Sequence, residues 1–143
     1  MPDVFTKAKR SQVMSLIRSA GNRATELAMI RVFRAHGITG WRRGRAVKIN
    51  TRKGPLKVRP DFVFPARKVA VFVDGEFWHG YPTRCQIPQA RRAWWAAKIE
   101  SNRRRDRRQN RALRAAGWTV VRVWQHELKT PAVLRKLKRS GLL

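Results

Sequence analysis

The run Val69-Ala70-Val71-Phe72-Val73 is apolar at every position and stops on Asp74-Gly75. Successive side chains of a strand leave on opposite faces, so a strand can be apolar throughout only where both faces are covered. The run therefore predicts the central strand of a sheet with layers on either side, an α/β architecture. After a Gly/Pro-rich loop over 75–89, residues 90–116 read as a long helix closed by Gly117, and 118–124 as a final strand. Strand, loop, helix and strand in that order imply a right-handed crossover with parallel pairing of the two strands. Upstream, 58–64 reads as a strand joined through a tight turn at Pro65-Ala66-Arg67 to the strand over 68–74.

The flanks are helical. Residues 7–20 place Val13, Met14, Leu16 and Ile17 on one helical face, and Gly21-Asn22 punctuates. Thr25-Glu26 opens a second helix through Leu27, Ile30, Val32 and Phe33, with Gly37 at the position after its last turn. From Trp41 to Lys57 the pattern is broken by Gly44, Asn50, Gly54 and Pro55, and reads as turns with a flexible basic loop around 50–57. Thr130-Pro131 opens a short basic helix over 130–143. No repeat or second boundary interrupts residues 1–143, so a single domain is expected.

Charge narrows the partners. Thirty-four Lys and Arg against eight acids leave a formal net charge of +26, a field that attracts polyanions. Arginine dominates, and its planar fork suits phosphate oxygens. Double-stranded DNA is the expected partner. No apolar stretch approaches a membrane span, and the N-terminus lacks the apolar core of a signal peptide. The single cysteine, Cys85, excludes an internal disulfide and fits a reducing compartment. The expectation is a cytoplasmic monomer.

Three of the eight acids, Asp61, Asp74 and Glu76, fall within sixteen residues, at or just past the ends of apolar runs. Hydrolysis of a phosphodiester needs an activated water and neutralisation of charge on the phosphoryl oxygens, both of which Mg²⁺ supplies. Mg²⁺ takes hard oxygens and keeps several waters, so Asp61, Asp74 and the Val73 carbonyl form a sufficient set, with Mn²⁺ as a substitute. Either acid alone also reads as an ordinary turn residue. His79 is placed to transfer a proton near neutral pH, and Glu26 either orients it or caps its helix.

The chain resembles the very short patch repair (Vsr-type) DNA mismatch endonucleases, a branch of the restriction-endonuclease-like fold. The resemblance runs from Lys9-Arg10-Ser11-Gln12-Val13-Met14 through Thr25-Glu26-Leu27 and Arg59-Pro60-Asp61-Phe62-Val63. It continues over Phe72 to Gly80, Trp95 to Asn102 with Arg105-Asp106, Leu113 to Trp118, and Val123-Trp124, and so covers residues 7–128. It implies a three-layer fold with a central mixed sheet flanked by helices. It also implies a Mg²⁺-dependent endonuclease that nicks DNA beside a T·G mismatch, with mismatch-repair proteins as partners and association with the bacterial nucleoid. By position Asp61 matches the metal-binding aspartate, Val73 the backbone ligand, His79 a catalytic histidine and Glu26 an active-site glutamate. Asp74 stands where better-known members have a histidine. Glu76 and Tyr81 stand where members carry structural-zinc ligands. Cys85 and His126 remain, too few for a four-coordinate site, so no structural zinc is expected. A related nuclease with a non-mismatch substrate, and a DNA-binding protein with a decayed site, are the alternative readings.

The segment Arg103-Arg104-Arg105-Asp106-Arg107-Arg108 lies mid-helix with Lys98 upstream, a density that favours phosphate contact over mere solvation. Asn102 and Asp106, four apart, share a helical face. Phe77, Trp78 and Trp95 are the expected duplex-contacting aromatics, because the family wedges aromatic side chains into the duplex and a mismatched step is cheaper to unstack.

Overall fold

The structure, a computed structural model, describes residues 24–75 and 87–143. The helix expected over 7–20 and most of the loop over 75–89 lie outside the described residues.

The first described helix, α1, is helical over 24–35. Its end is a left-handed turn: Gly37 has φ 66°, and the Ile38 N–H returns to the Phe33 carbonyl at 2.9 Å. A residue with a Cβ would be strained there, which is why glycine terminates the helix. Then come β1 (Arg42–Arg43), β2 (Val47–Thr51), β3 (Gly54–Val58), β4 (Phe62–Phe64) and β5 (Val69–Asp74). The long helix α2 (Arg92–Ala115), β6 (Thr119–Trp124), a 3₁₀ turn (Gln125–Lys129) and α3 (Pro131–Arg139) complete the chain.

A four-stranded sheet runs in the order β1-β4-β5-β6. The pairs β1–β4 and β4–β5 are antiparallel, whereas β5 and β6 are parallel with Val71 opposite Val121. The sheet is thus mixed, as expected, and β5 is interior. Its alternating side chains divide between two cores. Val69 and Val71 join Phe62, Phe64, Val121 and Val123 under α1 and α3, where Met29, Phe33, Val133 and Leu137 cover them. Ala70 and Phe72 face the other way, with Val63, Leu113 of α2, and Val47, Ile49 and Val58 of the β2–β3 hairpin. Phe33 meets the rings of Phe62 and Phe64 edge-on at 5.2 and 5.5 Å, a geometry favoured by the ring quadrupole. This is the three-layer arrangement of the restriction-endonuclease-like fold.

Two expectations are corrected. Residues 58–64 are not one strand: Val58 ends β3, Arg59-Pro60 belong to no strand, and β4 begins at Phe62. Pro60 has no N–H to give a ladder, so pairing resumes only beyond it. The basic stretch around 50–57 is a regular hairpin rather than a loop, with Thr51 opposite Gly54 across a two-residue turn. Gly54 tolerates φ 113°, and Pro55 is admissible because a two-stranded ribbon leaves each strand an open side.

The C-terminal elements are fastened by Glu127. Its Oε1 accepts the Trp124 N–H at 2.8 Å and the Lys136 ammonium at 2.7 Å, while Thr130 caps α3 by accepting from Ala132 N. Burial pushes the Glu127 carboxyl up, but the Lys136 and Trp124 hydrogen bonds and the charges of Lys136 and His126 together hold it below the ordinary glutamate value. A carboxylate lowered in this way stabilises the fold above its unfolded pKa of about 4.3 and loses that contribution as pH falls through the folded value. Glu127→Gln should therefore cost about 1 kcal/mol at neutral pH. The difference from the native chain should shrink below about pH 4 in urea denaturation.

Candidate active site

Asp61 lies just before β4, and its Oδ2 accepts the Val73 N–H of β5 at 2.7 Å. A strand residue's N–H and C=O leave on the same side, so the Val73 carbonyl faces the Asp61 side of β5 as well. The antiparallel pairing of β4 with β5, absent from any local pattern, brings this acid and this peptide together. Glu26 of α1 accepts a hydrogen bond from Arg43. Arg43 is the register partner of Phe62, the residue that follows Asp61.

Asp74, the last residue of β5, is buried at 5 % exposure. Arg122 of β6 holds it: Nη1 lies 3.1 Å from Oδ1 and 3.2 Å from Oδ2. Arg122 is itself surrounded. Its Nε donates to Asn110 Oδ1 at 2.7 Å, its Nη1 lies 3.6 Å from Asp106 Oδ1, and its guanidinium carbon stands 4.0 Å over the Phe72 ring. Asp106 and Asn110 belong to the inner face of α2. Trp95, Ile99, Asn102 and Leu113 are buried along that face, and positions 106 and 110 follow at helical spacing. The apolar stripe of α2 thus turns polar where it crosses Asp74 and Arg122.

Of the residues expected from sequence to act, the structure brings Asp61 to Val73 and pairs Glu26 with Arg43. Phe77, Trp78, His79 and Cys85 lie outside the described residues, and His126 is on the 3₁₀ turn after β6. Among the described residues no three His, Cys, Asp or Glu side chains cluster for a metal. A carboxylate has about four lone-pair sites, so accepting an N–H and binding a cation are compatible for Asp61. Asp74 offers the same atoms beside a resident positive charge.

The basic helix presents Lys98, Arg104, Arg105, Arg107 and Arg108 to solvent, with Arg103 half-buried. Glu100 lies 3.6 Å from Arg104 and 3.3 Å from Arg107, which blunts two of these charges. Trp95 is 7 % exposed, whereas Trp94 is 45 % exposed, with Arg91 stacked 5.1 Å from its ring. Trp95 shares the helix face that carries Ile99 and Asn102, and Trp94, one position away, falls outside it. A cleft of about 320 Å³ between α2, β6 and α3 is lined by Asn110, Arg114, Arg122, Lys136 and Arg139 among others, and by no carboxylate. It suits an anion rather than a metal.

Sequence reasoning missed Arg122, Asn110 and Arg43 as partners of the acids. The signal for Arg122 was an arginine at an inward position of an otherwise apolar strand, Val120-Val121-Arg122-Val123.

A mixed sheet with an acid locked to the penultimate residue of its central strand defines a nuclease fold of the restriction-endonuclease-like class. The profile of the family described as DNA mismatch endonuclease Vsr matches residues 2–85. A type II nicking enzyme of Xanthomonas oryzae, V.XorIIP, is 36 % identical over 143 residues, 99 % of this chain and 98 % of that protein. The DNA mismatch endonuclease Vsr of Escherichia coli is 35 % identical over 130 residues, 90 % of this chain and 77 % of that protein. The nicking enzyme V.NaeI of Lentzea aerocolonigenes is 50 % identical over 78 residues, 54 % of this chain and 47 % of that protein. The chain belongs to the Vsr family of DNA mismatch endonucleases.

Proposed function

We propose that this protein is a Mg²⁺-dependent DNA endonuclease that hydrolyses one strand beside a T·G mismatch. The observation that carries the reading is the Asp61 carboxylate fixed on Val73 at the end of the central strand, in a chain of net charge +26. Asp61, the Val73 carbonyl and Asp74 would hold the ion, which when bound neutralises phosphoryl charge and acidifies water. Asp61 is held in register by the backbone, so its carboxylate is oriented before substrate arrives. His79 would move the proton, and Glu26, pointed by its hydrogen bond from Arg43, would orient the water. The exposed cations of α2 would grip phosphates and position the duplex without reading bases. Phe77 and Trp78 would enter the base stack beside the scissile phosphate, and a T·G step, weaker than a matched one, would open at lower cost.

The test is a labelled duplex carrying one T·G pair and its matched twin, each incubated with Mg²⁺, Mn²⁺ or EDTA. Nicking of the mismatched strand alone, abolished by EDTA, is the expected result. Cleavage of both duplexes would point to a different substrate, and tight salt-sensitive binding without cleavage under any ion would mean a DNA-binding protein with an inactive site.

A further inference from the structure

The Asp74–Arg122 pair is not built as a stability device. A guanidinium best grips a carboxylate through two parallel N–H bonds. Here one nitrogen, Nη1, serves both oxygens, while Nη2 is buried without a hydrogen-bond partner among the described residues. An unsatisfied buried donor is costly, and apolar residues of similar volume commonly serve a core as well as an ion pair does. Arg122 also has a second acid within reach, Asp106 at 3.6 Å, and a neutral holder in Asn110 at 2.7 Å. The guanidinium can therefore give up Asp74 and remain paired.

We propose that Arg122 is the resident counter-ion of Asp74 and sets the divalent-ion demand of the site, because the guanidinium and the incoming ion compete for one carboxylate. The inference rests on the reading of Asp74 as part of the metal site. Without metal, Arg122 holds the buried Asp74 in place at the end of β5. When the ion arrives, Arg122 shifts its hold toward Asp106 and uses its second nitrogen. Arg122 is a positioning residue: it acts through Asp74. Removing the arginine takes one positive charge away from the carboxylate that the ion would bind. Charges this close in a partly buried setting change affinity by on the order of tenfold.

The experiment is Mg²⁺ binding to the DNA-free protein by titration calorimetry, paired with the Mg²⁺-induced rise in melting temperature. Arg122→Met should bind Mg²⁺ about tenfold more tightly than the native chain and show the larger thermal shift. In an Asp74→Asn background, the same substitution at 122 should change Mg²⁺ affinity by less than about twofold, as uncoupled sites do. Equal or weaker Mg²⁺ binding by folded Arg122→Met would overturn the proposal. Should that variant not fold, Asp74→Asn alone decides: binding weakened about tenfold supports the shared carboxylate, and unchanged binding overturns it. Loss of binding in Asp61→Asn but not in Asp74→Asn would leave the metal-dependent nuclease standing and remove only the role of Arg122. A native chain that neither binds Mg²⁺ nor nicks DNA would remove both.

Discussion

Asp61→Asn is expected to lower mismatch nicking by at least about a thousandfold, equivalent to roughly 4 kcal/mol of transition-state stabilisation, while leaving DNA binding and melting temperature near native. The amide is the informative replacement. Its carbonyl oxygen can still accept the Val73 N–H that Asp61 Oδ2 accepts at 2.7 Å, so the junction of β4 and β5 stays closed. What it loses is the negative charge that a hard cation requires. Asp61→Ala removes the acceptor as well, and leaving a part-buried N–H without a partner costs about 1–3 kcal/mol. The two variants should therefore be equally inactive but unequally stable. Single-turnover nicking and urea denaturation on both separate the chemical role from the structural one. Native-like nicking by Asp61→Asn would exclude Asp61 as the metal anchor.

The second large effect concerns the arginine helix. Lys98, Arg105 and Arg108 are exposed and fall at i, i+7 and i+10, along one flank of α2. Replacing all three by glutamine should reduce the slope of log affinity against log salt by about 3, since each neutralised phosphate contributes about 0.9. Arg104 and Arg107 are as exposed, yet both reach Glu100 within 3.6 Å. Their double replacement should change the slope by about 1 or less, well short of the roughly 1.8 of two unshielded contacts, because part of their charge is already answered within the helix. Binding isotherms on matched duplex over a salt series measure both. The loss should be uniform across sequences, the mark of contacts that position rather than read. Equal slopes per removed charge in the two variants would mean that Glu100 does not shield its partners.

Much of the scaffold was readable because its signals are local. Apolar continuity at Val69–Val73 marked a strand covered on both faces, and Gly37 and Gly117 marked helix ends that require positive φ. Thr130-Pro131 marked the start of α3. The β2–β3 hairpin was obscured because Asn50, Gly54 and Pro55 are turn formers by composition. The alternation of buried Val47 and Ile49 with exposed Lys48 and Asn50 becomes meaningful only once a hydrophobic layer exists for it to face. Trp94 and Trp95 are adjacent and chemically identical. Which one is exposed depends on the phase of α2 against the sheet, and a single turn of mixed residues does not set that phase.

The acids divide along the same line. Sequence alone determined that Asp61 and Asp74 lie at the ends of apolar runs, one before and one after, that acids are rare in a chain of net charge +26, and that they follow the order of a nuclease family. Only the tertiary structure decided what each one touches. Asp61 meets Val73 twelve residues away, Glu26 meets Arg43 seventeen away, and Asp74 meets Arg122 forty-eight away. Helix and strand periodicities act over a few residues, whereas these contacts depend on strand order and register. Those are settled by which apolar faces can be buried together, and the charged partners are carried into place by that packing.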